Sequence, residues 1–119
     1  MTKRDLINYC LTLPSAYEDY PFDETTALVR HKLNKKMFAL VDYLYGRLQI
    51  TLKCEPFKAD FLRQVYKNIV PGYHMNKLHW ISLSLMDHTP ESVCRELVDI
   101  SHELVWKGLP KKMRSGGSA

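Results

Sequence analysis

Three consecutive segments in the first half of the chain have the hydrophobic patterns of β-strands and are separated by very short turns. Residues 25–32 and 48–53 alternate apolar with polar side chains, as half-buried strands do. Residues 36–45 between them are nearly continuously apolar, which is typical of a strand covered on both faces. Asn34-Lys35 and Gly46 provide the turns. Because turns this short join strands antiparallel, the sequence predicts a three-stranded meander.

Three further segments have helical spacing. The first is capped by Thr2 and stops before Pro14, because proline cannot continue a helix. The second begins at Pro56, which suits the first turn of a helix, and the third is capped by Thr89 and ended by Gly108. The apolar residues predicted to face the core from these helices are Leu6, Cys10 and Leu13; Ala59, Leu62 and Val65; and Val93, Leu97, Ile100 and Leu104, flanked by Cys94, Val98 and Val105.

The remaining segments complete a fold of the α+β class. Residues 79–85 alternate and predict a fourth long strand, and residues 69–74 predict a turn back toward the sheet. Residues 15–24 predict an acidic loop whose aromatic side chains fold back over the core. We expect an antiparallel sheet, made of the meander and at least one further strand, packed with N-terminal, middle and long C-terminal helices. We expect one domain over residues 1–112 and a disordered tail over residues 113–119, whose linker composition is of the kind that cloning adds.

The positive charge of the chain is concentrated in its middle. Residues 25–80 hold ten Lys or Arg side chains against three Asp or Glu, whereas residues 1–24 hold two against five. The chain as a whole has a net charge of +4. A local positive field attracts anions such as nucleic-acid phosphates, although the same side chains could simply keep exposed strands solvated.

Six segments of unusual composition occur along the chain in a recognisable order. They are Tyr20-Pro-Phe-Asp23, Lys36-Met-Phe-Ala-Leu40, Leu52-Lys-Cys-Glu-Pro56, Pro71-Gly-Tyr-His-Met-Asn-Lys77, His79-Trp80 and Leu109-Pro-Lys-Lys112. This order resembles the MmcQ/YjbR-like family over nearly the whole chain, and residues 71–80 are its most specific part. The resemblance implies an antiparallel sheet with packed helices, related to the double-wing DNA-binding architecture. Members are often labelled predicted DNA-binding proteins, a label that follows from the fold and does not settle function.

The first candidate site is the basic surface of the predicted meander, where a hairpin with basic flanks could act as a wing on DNA. Cations on such a hairpin position a protein on phosphates, while few residues read bases. The side chains expected to contact nucleic acid are Arg30, Lys32, Lys35, Lys36 and Arg47, with Lys77 and His79 as additions and Lys53 at the border. The alternative is a solvated sheet face whose lysines protect the hairpin from aggregation.

The second candidate site is a dense polar and aromatic run formed by Tyr73, His74, Asn76, Lys77, His79 and Trp80. Lys77 and Asn76 could hold a phosphate while an aromatic ring stacks a base. Alternatively, the run could line a small-molecule pocket or the active site of a small enzyme, with His74 or His79 as the acid–base group. The structural alternative is that Asn76 and His74 bond the backbone of an irregular connection, while Trp80 fills the core.

Other functional classes have weaker support in the sequence. A protein-interaction module could use the aromatic loop around Tyr20 and Phe22. The sequence has no Gly-rich phosphate loop, serine nucleophile elbow or paired zinc ligands, so we expect no cofactor, no metal and no catalytic residue, although a Cys54–His74 pair stays open. Three widely spaced cysteines predict a reducing compartment, and no signal peptide or membrane span is evident. We expect a cytoplasmic monomer that binds DNA or another nucleic acid, with no membrane partner.

Overall fold

An antiparallel sheet of six strands forms the centre of the fold in the computed structural model, which describes residues 1–72, 75–85 and 89–109. The elements of these residues are α1 (Lys3–Leu11), β1 (Ala16–Asp19), β2 (Ala27–His31), β3 (Met37–Leu44), β4 (Arg47–Lys53), α2 (Pro56–Val65), β5 (Ile69–Pro71), β6 (Trp80–Ser84) and α3 (Glu91–Lys107). The strand order is β1-β2-β3-β4-β6-β5. The predicted α+β class is therefore confirmed, with its N-terminal, middle and long C-terminal helices.

The meander predicted from the period-two pattern is confirmed as β2, β3 and β4. Each of these strands pairs antiparallel with the next. Leu44 pairs with Arg47, so Tyr45 and Gly46 alone form the connecting loop, and both have positive φ angles of 51° and 75°. Two such residues give the hairpin turn whose twist matches that of the strands. The predicted fourth strand is β6, which pairs with β4.

The two faces of the sheet are covered differently. Val41 pairs with Ile50 and Ile50 pairs with Leu83, so these side chains share one face. The buried side chains of α1, α2 and α3 join them in a single apolar core, so the helices cover this face. Neighbouring residues such as Leu40 and Thr51 point to the other side, because strand side chains alternate. The buried side chains of the helices belong to the core on the first side, and we call the second side the open face.

Two short strands at the edges of the sheet were not predicted. Strand β1 lies in the segment expected to be an acidic loop, and it pairs with β2 from Ala16–His31 to Asp19–Leu28. Strand β5 lies where a turn was expected and pairs with β6. Pro71 is tolerated there because an edge strand needs partners on one side only. A segment of three or four residues has too little pattern of its own, so the neighbouring strand decides its pairing.

The buried stripe of α3 differs from the prediction. The structure buries Cys94, Leu97, Val98, Ser101, His102 and Val105, whereas Val93, Ile100 and Leu104 are only partly buried. The stripe is thus rotated toward two polar residues, Ser101 and His102. Ser101 can be buried because its hydroxyl donates to the carbonyl of Phe38 (2.6 Å) and accepts from the amide of Lys53 (2.8 Å). A hydrophobic pattern alone could not predict burial that depends on hydrogen-bond partners.

Several local predictions are also wrong. Val65 is 52% exposed, because α2 packs through Ala59 and Leu62 and ends at this residue. Thr89 does not cap α3; its hydroxyl accepts from the side-chain amide of Asn68, and Pro90 occupies the cap position.

Gly108 ends α3 as predicted. The expected tail, residues 113–119, lies outside the described residues.

Candidate nucleic-acid interface

Four lysine and arginine side chains from separate segments surround one cleft at an end of the sheet. The cleft has a volume of about 370 Å³. The residues that line it are Arg30, Lys35, Lys36, Met37, Lys53, Trp80, Val105 and Gly108. No carboxylate is among these lining residues, so the electrostatic character of the wall is positive. We call this concavity the basic cleft.

Antiparallel pairing brings these residues together. Strand β2 ends, β3 begins, β4 ends and β6 begins at the same end of the sheet. Arg30 pairs with Met37, just after a register shift in the β2–β3 pairing, and Lys53 pairs with Trp80. The strand register therefore places a guanidinium, an ammonium and an indole side by side, although up to 50 residues separate them in the chain.

The connection between β2 and β3 adds two lysines at the mouth of the cleft. It is closed by hydrogen bonds from the His31 amide to the Lys36 carbonyl (2.9 Å) and from the Lys35 amide to the His31 carbonyl (2.8 Å). Asn34 accepts from the Lys36 amide through its side chain (3.0 Å), which is the usual role of asparagine in turns. Lys35 has a φ of 63°. Both lysine side chains are exposed, and no described residue forms an ion pair with either.

Arg30 has a structural role within the cleft. Its guanidinium forms an ion pair with Asp19 across the β1–β2 pairing (2.9 Å between Nε and Oδ2). A second nitrogen donates to the Lys35 carbonyl (2.8 Å). Arg30 therefore ties the edge strand to the lysine-bearing turn, and its charge is partly neutralised. The ammonium groups of Lys35, Lys36 and Lys53 are better placed to receive an anion.

Trp80 lies on the wall of the cleft and outside the apolar core. Trp80 is half-buried, and its neighbour Ile81 occupies the core face instead. The backbone of Gly72 packs against it, with the Gly72 amide donating to the Trp80 carbonyl (2.7 Å). A Cβ atom at Gly72 would lie 2.6 Å from the Cβ atom of Trp80. The interpretation of Trp80 as core filling is therefore wrong, and the indole is available to a ligand.

The structure does not bring every predicted cation to the basic cleft. Lys32 is exposed beside it without lining it. Arg47 begins β4 and Lys53 ends it, which separates them by roughly 20 Å along the strand. The sequence already held this signal, because successive turns of a meander lie at opposite ends of a sheet. Lys77 donates to the Gly72 carbonyl (2.9 Å) within its own connection.

The connection before β6 supports the structural interpretation of Asn76. Its side-chain oxygen accepts from the amides of Leu78 (2.9 Å) and His79 (3.3 Å), which closes a turn. His79 is exposed, and its carbonyl accepts from the Cys54 amide (2.8 Å). Tyr73 and His74 lie outside the described residues, so the predicted convergence of residues 73–79 on one pocket stays a prediction.

Comparison with known proteins matches sequence and fold over most of the chain. The family model described as YjbR matches residues 11–104. The chain belongs to the YjbR family. The uncharacterised protein YjbR of Escherichia coli strain K12 is 32% identical over 114 residues, which cover 96% of this chain and 95% of that protein. The uncharacterised protein YyaQ of Bacillus subtilis strain 168 is 34% identical over 116 residues, covering 87% of this chain and 98% of that protein.

Solved structures give the same result for the fold of this YjbR-family chain. The Deinococcus radiodurans protein DR2400, described as a DUF419 domain, superposes with a TM-score of 0.89 at 35% identity, covering 98% of this chain and 88% of that one. A Pseudomonas syringae crystal structure superposes with a TM-score of 0.76 at 28% identity, covering 87% of this chain and 98% of that one. The predicted family resemblance is confirmed. The names of these proteins state no activity, so the role of the basic cleft is argued from its geometry.

Alternative chemistries have little support among the described residues of this YjbR-family chain. They contain no group of three or more His, Cys, Asp or Glu side chains that could hold a metal ion. All three cysteines are free and buried. Burial raises the pKa of the Cys10 thiol to about 12, and burial also raises the pKa of Cys54. A thiol that stays protonated is a poor nucleophile, which weakens the proposed Cys54–His74 pair.

No helix in residues 1–72, 75–85 or 89–109 combines the length and the hydrophobicity that crossing a membrane requires.

The aromatic loop between β1 and β2 is only partly packed. Phe22 is 74% exposed and Tyr20 is 37% exposed, so the prediction that these aromatics fold back over the core is wrong. The Tyr20 hydroxyl donates to Glu18, whose carboxylate also receives two hydrogen bonds from Arg4 (2.8 and 2.9 Å). The Arg4 hydrogen bond holds the pKa of Glu18 below its usual value. The interaction-module hypothesis stays open, since its surface is exposed.

A buried pair of histidines lies beneath the basic cleft and was not predicted. His31 is completely buried, and its ring lies 4.5 Å from that of His102, centroid to centroid. The His102 Nε2 lies 2.8 Å from the carbonyl oxygen of Pro14. Burial and the neighbouring His102 lower the pKa of His31 to about 4. The one signal in the sequence was the position of His31 two residues after Val29, on the core-facing side of β2.

Proposed function

We propose that this chain binds nucleic acid through the basic cleft and that an unpaired stretch of single strand is its preferred form. The observation that carries this proposal is the meeting of Lys35, Lys36 and Lys53 with Trp80 in one cleft of about 370 Å³. The lysines contact backbone phosphates, and the indole stacks on a base. This combination of cations and an aromatic platform is what single-strand binding requires.

The preference for single strands follows from the position of Trp80. A base within a duplex is stacked on its neighbours and cannot offer its face to a side chain, whereas an unpaired base can. Duplex DNA would meet the same lysines through its phosphates alone, with the β2–β3 hairpin as a wing. Its affinity should then be lower and nearly independent of sequence, because phosphate contacts position a protein without reading bases.

The electrostatics of the site agree with an anionic ligand. The carboxylate of Asp19 on the neighbouring strand β1 is neutralised by Arg30. Arg30 also fixes the turn that carries Lys35. Phosphates would therefore meet ammonium groups held by a braced turn, which lowers the ordering cost of binding. The proposal includes a cytoplasmic, monomeric protein without catalytic activity, and the three free buried thiols support the reducing compartment.

The test is a fluorescence-anisotropy titration of a labelled single-stranded oligonucleotide and its duplex at several salt concentrations. The double variant Lys35→Gln with Lys36→Gln should bind more weakly, and the slope of log affinity against log salt should fall by about 1.4, because each phosphate that is no longer neutralised removes ~0.7. The matched control is the double variant Lys58→Gln with Lys67→Gln. It removes the same charge from α2 and from the segment that follows it. Absence of binding at low salt, or equal weakening by both double variants, would overturn the proposal.

A further inference from the structure

A second concavity lies on the open face, and no lysine or arginine of the described residues lines it. Its volume is about 570 Å³, within the range of small-molecule sites. Leu28, Leu40 and Leu44 form apolar walls on β2 and β3. Phe22 and Met75 line it from the connections on either side. We call it the apolar groove.

The groove contains a buried amide nitrogen that no part of the described structure satisfies. Gln49 is 3% exposed, and its Nε2 has no hydrogen-bond partner. Its neighbour on the same face, Thr51, is also buried, but the Thr51 hydroxyl lies 2.8 Å from that of Ser82. An unpaired buried amide costs about 1–3 kcal/mol, so such groups are rare in folded proteins unless a ligand or function requires them. The residue that carries this unpaired donor lines a cavity large enough for a ligand.

The charges in the groove restrict what can enter it. Asp23 and Asp42 are among its lining residues. Asp23 accepts from the amides of Thr25 (2.8 Å) and Thr26 (2.6 Å), and these backbone hydrogen bonds hold the pKa of its carboxyl below the usual value. It is therefore ionised at neutral pH. Negative charge at the rim repels anions, which the basic cleft next to it attracts.

We infer that the apolar groove binds a mainly apolar small molecule that carries no negative charge and presents one hydrogen-bond acceptor, such as a carbonyl oxygen, to the amide of Gln49. The leucine side chains contact the body of the molecule, and the exposed ring of Phe22 covers it from one side. Met37 lines both concavities, so the two ligands would lie next to each other. This inference does not depend on the nucleic-acid proposal.

The probe for this site is Nile red, a neutral apolar dye with a carbonyl oxygen, titrated into the full chain while its fluorescence is recorded. We expect saturable binding at one site. The variant Gln49→Met keeps the volume of the side chain but removes the donor, and it should weaken binding roughly five- to ten-fold. Leu40→Trp fills the groove and should abolish binding. Phe22→Ala should weaken binding, whereas Phe57→Ala, which removes another exposed ring from α2, should not.

Backbone amide NMR spectra locate the dye independently of the variants. Bound dye should shift the signals of Leu40, Gln49 and Thr51, and should leave those of α2 unchanged. Dye binding that does not saturate, binding equal in Gln49→Met and the parent chain, or shifts confined to α2 would each overturn the inference. If Leu40→Trp fails to fold, Gln49→Met and the NMR map still decide. Oligonucleotide affinity of the Gln49→Met variant should equal that of the parent chain, which separates the two sites.

Discussion

The imidazole rings of His31 and His102 lie 4.5 Å apart at the interface between β2 and α3, and neither is more than 9% exposed. The Nε2 atom of His31 lies 3.3 Å from the backbone carbonyl oxygen of His102. Phe38 and Trp106 pack around the two rings, with centroids 5.2 and 5.4 Å from His31. The end of β2 that carries the lysine-bearing turn is thus fixed to the last turns of α3 by aromatic rings, two of which are imidazoles.

The stability of the chain should therefore fall as the pH drops below neutral. Protonated His31 is disfavoured in the folded state, where its pKa is about 4, whereas the unfolded chain titrates near ~6.5. Between these values the unfolded state binds the additional proton, so the free energy of unfolding decreases with falling pH. From pH 7.5 to 5 the loss from this group is roughly 2 kcal/mol. Urea denaturation at both pH values measures it, and His31→Phe should show a smaller loss over the same interval.

Trp80 should report ligand binding directly. Stacking on an aromatic side chain is worth ~1–3 kcal/mol per base, so Trp80→Ala should weaken single-strand binding about 5- to 160-fold. Binding should also quench the tryptophan fluorescence. The chain has two tryptophans, and the other, Trp106, packs against His31 beneath the cleft. Quenching that persists in Trp106→Phe and disappears in Trp80→Phe would agree with the proposal, and the reverse pattern would contradict it.

Ser101 should be important for stability out of proportion to its size. Its hydroxyl bridges the Phe38 carbonyl and the Lys53 amide, so Ser101→Ala leaves two backbone groups unsatisfied near α3. The expected cost is about 1–3 kcal/mol in the free energy of unfolding. Ser92→Ala, an exposed position on the same helix, is the matched control and should change it by less than ~0.5 kcal/mol. Chemical denaturation of the two variants distinguishes a structural hydroxyl from an incidental one.

Gly72 should tolerate no side chain. The Cβ of an alanine there would lie 2.6 Å from the Trp80 Cβ atom. The backbone cannot easily move away, because the Gly72 amide donates a hydrogen bond to the Trp80 carbonyl. Gly72→Ala should cost about 1–3 kcal/mol through overpacking and should shift the indole, which lowers nucleic-acid affinity as well. Gly108→Ala, whose new atom would lie 3.3 Å from the Val105 carbonyl oxygen, should cost less. Equal effects of the two substitutions would show that the close packing of Gly72 on Trp80 is unimportant.

The family, the meander and the approximate bounds of all three helices could be predicted from the sequence. These features depend on local information. The side chains of β2 to β4 alternate within short stretches joined by turns, so each strand finds its partner nearby in the chain. Proline and glycine mark helix ends because they act on their own backbone, as Gly108 does at the end of α3.

The strands β1 and β5, the buried stripe of α3 and the composition of the basic cleft could not be predicted in the same way. Ser101 and His102 are polar, and they are buried only because Phe38, Lys53 and Pro14 offer them hydrogen-bond partners. The sequence placed Arg47 with the other cations by composition, whereas the sheet places it at the opposite end of β4.

The sequence by itself therefore determined the meander, β6, the three helices and the family of the chain, because these are carried by short-range patterns along the backbone. Only the tertiary structure decided that Lys53 and Trp80 pair beside the β2–β3 turn, and that the Gln49 amide nitrogen lies unpaired in an apolar groove. The reason is that strand register and helix packing bring together residues far apart in the chain, and the charge, burial and hydrogen bonding of a site depend on those neighbours.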